Sequence, residues 1–136
     1  MSRATLVLAT AAALAAAVTA AAAAVSVSLN LQGGYANRTL KACSLTHHYT
    51  IFHRGRAIGV NGAVSPAPRA AFRIKLKIKR CIRGRFHAVW VGNASVKSDG
   101  TFQGTLPPRR AGYYFARAYY EGATTVKSDK QYFKST

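Results

Sequence analysis

Acidic residues are nearly missing from this chain. Three of 136 residues are Asp or Glu, namely Asp99, Glu121 and Asp129, and they are scattered. A glycosidase needs two carboxylates across one bond and a calcium cage needs several, so three isolated acids speak against both. The shortage also leaves His47, His48, His53 and His87 without a neighbouring carboxylate to orient an imidazole, as general acid–base or triad chemistry requires. The HHxxxxH spacing of His47, His48 and His53 invites a metal only loosely, and plain loop histidines are the preferred reading. Cysteine is equally scarce: Cys43 and Cys81 stand alone, without the CxxC pairing of a zinc site. Nucleophile elbow, P-loop and dinucleotide fingerprint are all missing. A non-enzymatic protein is therefore expected, with no catalytic residue, metal or cofactor assigned. A small secreted hydrolase or protease-inhibitor-like protein is the alternative.

The chain opens Met1-Ser2-Arg3 and then runs without charge from Ala4 to Val27. One basic residue, an apolar stretch from Leu6 to Val18 and small residues around Ala20–Ala24 read as a secretory signal peptide over 1–24. An uncleaved membrane anchor competes with this, since the uncharged run is long enough to span. Alanine contributes little transfer energy, however, and no basic stop-transfer cluster follows. Cleavage near Ala24 is preferred and leaves no stable membrane span. The remaining residues, 25–136, suffice for one β domain, with 25–45 as a potential appended hairpin or arm. Two cysteines in a small exported domain suggest one disulfide, Cys43 to Cys81, against an alternative of two free buried thiols.

What the chain has in excess is positive charge: 20 Lys and Arg give a net +17. Such a field draws polyanions and opposes self-association. For an exported or wall-associated protein, the available polyanions are anionic cell-wall polymer, acidic glycan, lipid headgroups and extracellular nucleic acid. A merely basic secretome explains the charge almost as well.

The clearest local pattern is Phe72-Arg73-Ile74-Lys75-Leu76-Lys77-Ile78-Lys79, strict alternation of apolar and cationic residues. Strand side chains alternate between faces, so this segment predicts a half-buried strand over 72–81 with Arg73, Lys75, Lys77 and Lys79 outward. Further strands are expected at 25–32, 39–45, 46–52, 58–64, 86–91, 101–106, 112–120 and 126–133. Turns are expected at Gly33-Gly34, Arg83-Gly84-Arg85, Ser98-Asp99-Gly100 and Glu121-Gly122-Ala123. Seven to nine short strands without an amphipathic helix predict an all-β antiparallel sandwich.

Several pieces occur in the order found in the immunoglobulin-like and fibronectin-III-like domains common in exported bacterial proteins. Val60-Asn61-Gly62-Ala63-Val64-Ser65-Pro66 resembles the family's second strand with its G-x-V-x-P ending. Residues 72–79, the Arg83-Gly84-Arg85 turn and Phe86 resemble the middle hairpin. Ser98-Asp99-Gly100-Thr101-Phe102 resembles its D-G-x-F turn, and Gly112–Tyr120 resembles its G-x-Y-x-x-R-A strand. The resemblance spans about 56–134. It implies a spacer, adhesin module or accessory binding domain and no catalytic residue. Two features depart from it. A Cys43–Cys81 bond would tie the N-terminal segment to a sheet rather than sheet to sheet, and Trp90 lies after the middle hairpin.

By parity, Tyr114, Ala116 and Ala118 face inward, with Tyr114 a candidate tyrosine-corner residue. Tyr113, Phe115, Arg117 and Tyr119 then face outward. If 112–120 pairs with 72–81, as the resemblance implies, Arg73, Lys75, Lys77, Lys79, Tyr113, Phe115, Arg117 and Tyr119 share one cationic and aromatic face. Such a face suits a polyanion or glycan. The competing reading is that lysine stems, or segment 25–45, simply cover the rings. Single-stranded nucleic acid is a less natural ligand, since the chain lacks an RNP signature and is exported.

Overall fold

The computed structural model describes residues 24–136; the expected signal peptide over 1–24 lies outside them except for Ala24. The described residues form ten strands and no helix. These are β1 (Ser26–Gln32), β2 (Ala36–Ala42), β3 (Leu45–Phe52), β4 (Ile58–Ser65), β5 (Phe72–Ile82), β6 (Arg85–Val96), β7 (Thr101–Leu106), β8 (Gly112–Glu121), β9 (Thr125–Lys127) and β10 (Gln131–Ser135). They join in one connected sheet of order β1-β4-β7-β6-β5-β8-β10-β3-β2, with β9 added to β8. The fold is all-β, as its alternating sequence dictates.

The sheet curls on itself. β6 and β7 share only the pair Val96↔Phe102, then part, β6 staying with β5 and β7 crossing to β4. The turn at this corner is the expected Asp-Gly turn. Asp99 Oδ1 accepts from the backbone N–H (2.9 Å) and hydroxyl (2.7 Å) of Thr101, which holds its carboxyl below the usual carboxylate range. Gly100 adopts φ +86°, and its carbonyl accepts from Val64 N–H at 2.8 Å. Curling brings the inner rows of all the longer strands except β2 into one core. Ile74, Leu76 and Ile78 of β5 and Tyr114, Ala116 and Ala118 of β8 meet Leu29, Val60, Val64, Phe102, Leu106 and Phe133 there. Tyr114 behaves as a tyrosine corner, its hydroxyl donating to the Arg110 carbonyl at 2.7 Å. Trp90 pairs with Ile78 and packs half-buried at the margin of this core.

Three sequence expectations are corrected. The sheet is mixed, because β3 runs parallel to β10 through Phe133↔Thr50, Lys134↔Ile51 and Ser135↔Phe52. Pairing between strands about eighty residues apart leaves no local trace. The strand count is ten, because the segment expected to run unbroken over 126–133 divides into β9 and β10 at Ser128. That side chain is buried, with Oγ accepting from Ala118 N–H and donating to the Asp129 carbonyl, each at 2.9 Å. A hydroxyl that replaces ladder partners in this way ends a strand without any Gly or Pro to announce it. Finally, Cys43 lies in no strand. β2 pairs with β3, and Cys43 (φ 52°) and Ser44 (φ 66°) form the two-residue turn between them. Positive φ at both positions is the type I′ hairpin geometry. Arg83 (φ 53°) and Gly84 (φ 79°) make the same turn between β5 and β6, where a turn was expected.

Cys43 and Cys81 form the disulfide, with Cα atoms 5.8 Å apart and a sequence separation of 38. It fastens the tip of the β2–β3 hairpin to the end of β5. Opening a loop of this length removes up to about 4 kcal/mol in the chain-entropy model. Cys43→Ser is accordingly expected to lower stability by about 2–4 kcal/mol in urea titrations; an unchanged midpoint would mean the bond constrains nothing. A Cβ at position 100 would fall 2.4 Å from the Val64 carbonyl. Gly100→Ala should therefore cost well over 1 kcal/mol by the same measurement, more than an ordinary exposed turn substitution.

Candidate functional site

β5 and β8 lie side by side in the register Lys75↔Tyr119, Lys77↔Arg117 and Lys79↔Phe115. Directly opposed residues of an antiparallel pair share a face, so the cationic row of β5 and the outer row of β8 adjoin. β10 extends that face through Tyr132↔Phe115 and Lys134↔Tyr113. The eight expected residues are thus on one surface, with Arg73 at its far end.

The two halves of this surface differ in exposure. Phe115 is 3% exposed and Tyr119 8%, so the rings are roofed over. Lysines form much of the roof. The Lys77 ammonium lies 4.6 Å from the Tyr119 ring centre and Lys127 6.0 Å from it. Lys130 and Lys79 lie 4.9 and 5.8 Å from the Phe115 ring, and Lys134 5.1 Å from Tyr113. An ammonium over a ring face is attracted by the ring quadrupole, at about 0.5–1 kcal/mol when exposed. Aliphatic stems cover the rings while the charged ends stay in water. Stacking against sugars or bases is thereby closed to Phe115 and Tyr119, and what faces solvent is ammonium.

The hairpin forms the rest of the roof. β3 is paired to β10 only over Thr50–Phe52. Ahead of Thr50 it crosses the outer face of β10 and β8 to reach Cys81 on β5. His47 stacks on Tyr132 at 3.9 Å, and Tyr49 meets Tyr113 and Tyr132 edge-on at 5.5 and 5.6 Å. Phe86 of β6 closes the cluster against Phe115 at 4.9 Å. This is a second, aromatic core on the opposite side of β8 from the main one. Alternation put Tyr113 and Phe115 on an outward binding face and not in a second core, and it gave no sign of Tyr49, Phe86 and Tyr132 joining them, since their strands become neighbours only through the crossing hairpin.

Charge balance on the face is one-sided. Glu121 pairs with Lys75 at 2.6 Å, the one ion pair among the described residues. Arg117 Nε donates to the Ser128 carbonyl at 2.7 Å, which fixes the guanidinium beside the lysines. Lys77, Lys79, Lys127, Lys130 and Lys134 have no carboxylate partner among the described residues. The histidines do not converge. His47 lies in the aromatic cluster, His48 bonds Thr39 Oγ1 at 3.0 Å and His53 stacks on Tyr35 at 4.2 Å. His87 is exposed on β6, and the described residues hold no group of three metal-ligating side chains. No helix among them is long and apolar enough to cross a membrane. In comparisons with known proteins, the sequence matches no family model and no curated protein.

Tyr49 offers a test of the aromatic core. Its side chain is fully buried and its hydroxyl has no hydrogen-bond partner among the described residues. Burial, with Tyr132 and Tyr113 adding to it, pushes its pKa above the ordinary tyrosine value; burial raises that of Tyr132 too. A raised folded-state pKa means the stabilising contribution is complete below the unfolded value near 10 and is lost as pH climbs through the folded value. Stability should therefore fall above about pH 10. Tyr49→Phe should match or exceed the parent near pH 7, because an unpaired buried hydroxyl is removed, and should flatten part of the alkaline decline. Melting curves across pH 7–11 test this; a variant markedly less stable at pH 7 would show the hydroxyl to be satisfied.

Proposed function

We propose that this chain is an exported binding module whose β5–β8–β10 face holds an anionic polymer, such as cell-wall phosphate polymer or acidic glycan. One observation carries the reading: Lys75, Lys77 and Lys79 stand in register beside Tyr119, Arg117 and Phe115, with Lys127, Lys130 and Lys134 around them and a single carboxylate, Glu121, on the face. Same-face residues of a strand recur about every 7 Å, an interval suited to repeating phosphates or carboxylates. The covered rings favour recognition of charge over stacking on sugars or bases. Rings that seat two ammonium groups each also limit the rotamer freedom lost when a polymer binds.

The finer fold reading within this proposal is an immunoglobulin-like sandwich. Strands β1-β4-β7 form one layer and β6-β5-β8-β10 the other, joined at the Asp99-Gly100 corner. The Tyr114–Arg110 hydrogen bond supports it. A disulfide persists in oxidising compartments, which supports export.

Replacing Lys75, Lys77 and Lys79 together by Gln should weaken retention on heparin or purified wall polymer by about threefold to a hundredfold, at ~0.2–1 kcal/mol per exposed ion pair. Elution should shift to lower salt. Replacing Arg54 and Arg56 in the β3–β4 connection together with Arg69 in the β4–β5 connection, all exposed, removes the same three charges and supplies the control for bulk charge. Equal losses in the two variants would assign retention to net charge and not to this face.

A further inference from the structure

The inner row of β5 does not stay apolar to its end. After Ile74, Leu76 and Ile78 comes Arg80, opposite Tyr114, where the main core opens between the β5–β6 hairpin and the β7–β8 connection. A cleft of about 510 Å³ lies there, bounded by Arg80, Arg109 and Arg110, with Ile82, Val89 and Tyr114 among its walls. That volume is in the range of small-molecule sites. Sequence reasoning gave no hint of it, because Arg80 looked like one more member of a cationic run.

The cleft is on the opposite side of β5 from the lysine row, and its chemistry differs. Val89 reaches it through a β-bulge: Ile78 pairs with Trp90 and Lys79 with Ala88, which leaves Val89 as the extra residue. Arg80 is fixed by Nη2 donating to the Ala111 carbonyl at 3.0 Å, and its guanidinium lies 5.8 Å from the Tyr114 ring. Its Nε is buried without a partner among the described residues. Arg109 Nε donates to the Pro108 carbonyl at 3.1 Å, and Arg110 is exposed. None of the three is neutralised by a carboxylate. Glu121 is engaged with Lys75, Asp99 in its turn with Thr101, and Asp129, just before β10, does not line the cleft.

We propose that this cleft is a discrete anion site for a phosphate monoester carried on an apolar stem. Guanidinium forks match phosphate oxygens bidentately and are weakly hydrated, so they bind well beside apolar walls. Three cations favour a dianion over a single carboxylate. Ile82 and Val89, both about 39% exposed, provide apolar surface for the stem. The site does not depend on the polymer-binding face.

Phenyl phosphate and inorganic phosphate serve as probes against the full chain, by calorimetry and by methyl NMR of Ile82 and Val89. Phenyl phosphate is expected to bind at one site, more tightly than inorganic phosphate, and to shift both methyl sets. Arg109→Gln with Arg110→Gln should weaken it at least tenfold, whereas Lys77→Gln with Lys79→Gln should change it less than twofold. Arg110→Gln alone, at an exposed position, keeps the test open if the double variant folds poorly, and should weaken binding at least threefold. Benzoate, the same ring with one charge, should bind at least fivefold more weakly. Absence of saturable binding, equal loss in the lysine variant or unshifted Ile82 and Val89 would overturn the site. Equal affinity for benzoate would overturn the choice of a dianion.

Discussion

Everything distinctive in this molecule follows from the demand that β8 be covered on both faces. Its inner row, Tyr114, Ala116 and Ala118, is buried in the main core, and two members of its outer row, Phe115 and Tyr119, are buried as well. A sheet strand with large rings on its outward side exposes a few hundred Å² of apolar surface unless something lies across it. The chain supplies two covers. Lysine stems from β5, β10 and the segment before it lie on the rings, and a disulfide-fastened hairpin lies over the remainder.

This economy connects packing to charge. Lysine is a good cover for a ring because its stem is apolar and its end is not, but each ring so covered adds one or two ammonium groups to the surface. A cationic face is the by-product of roofing aromatics with lysine, and the shortage of acids leaves it uncompensated apart from Glu121. The same by-product is what an anionic polymer would recognise. Under the proposed function, stability and binding would be coupled at Lys77, Lys79 and Lys130, which both shield rings and carry positive charge.

Much of the framework was legible in the sequence. Alternation from Phe72 to Lys79 located β5 and both of its faces. The Asp99-Gly100 and Arg83-Gly84 turns were readable because positive φ is cheap for Gly and these pairs bracket alternating runs. Tyr114 was readable as a corner residue from its parity, and two cysteines in a small domain expected to be exported suggested the Cys43–Cys81 bond over two free thiols. The strand breaks were less visible. Ser128 ends a strand by giving its own hydroxyl to backbone partners, a role that a serine in an otherwise extended run does not advertise.

The sequence by itself determined where most strands and Gly turns lie and which side of β5 and β8 faces the main core, because those depend on neighbours within a few positions; the Cys43 turn and the break at Ser128 were not among them. Tertiary structure alone decided what lies against the outward side. The parallel β3–β10 pairing, the hairpin's path over β8, the second core of Tyr49, Phe86, Phe115 and Tyr132, and the meeting of Arg80 with Arg109 and Arg110 all join residues far apart in the chain. Their physical basis is the closure of long loops, whose cost depends on the whole assembly and not on any local pattern. Alternation says that a ring points outward; only the fold says whether water or a lysine meets it.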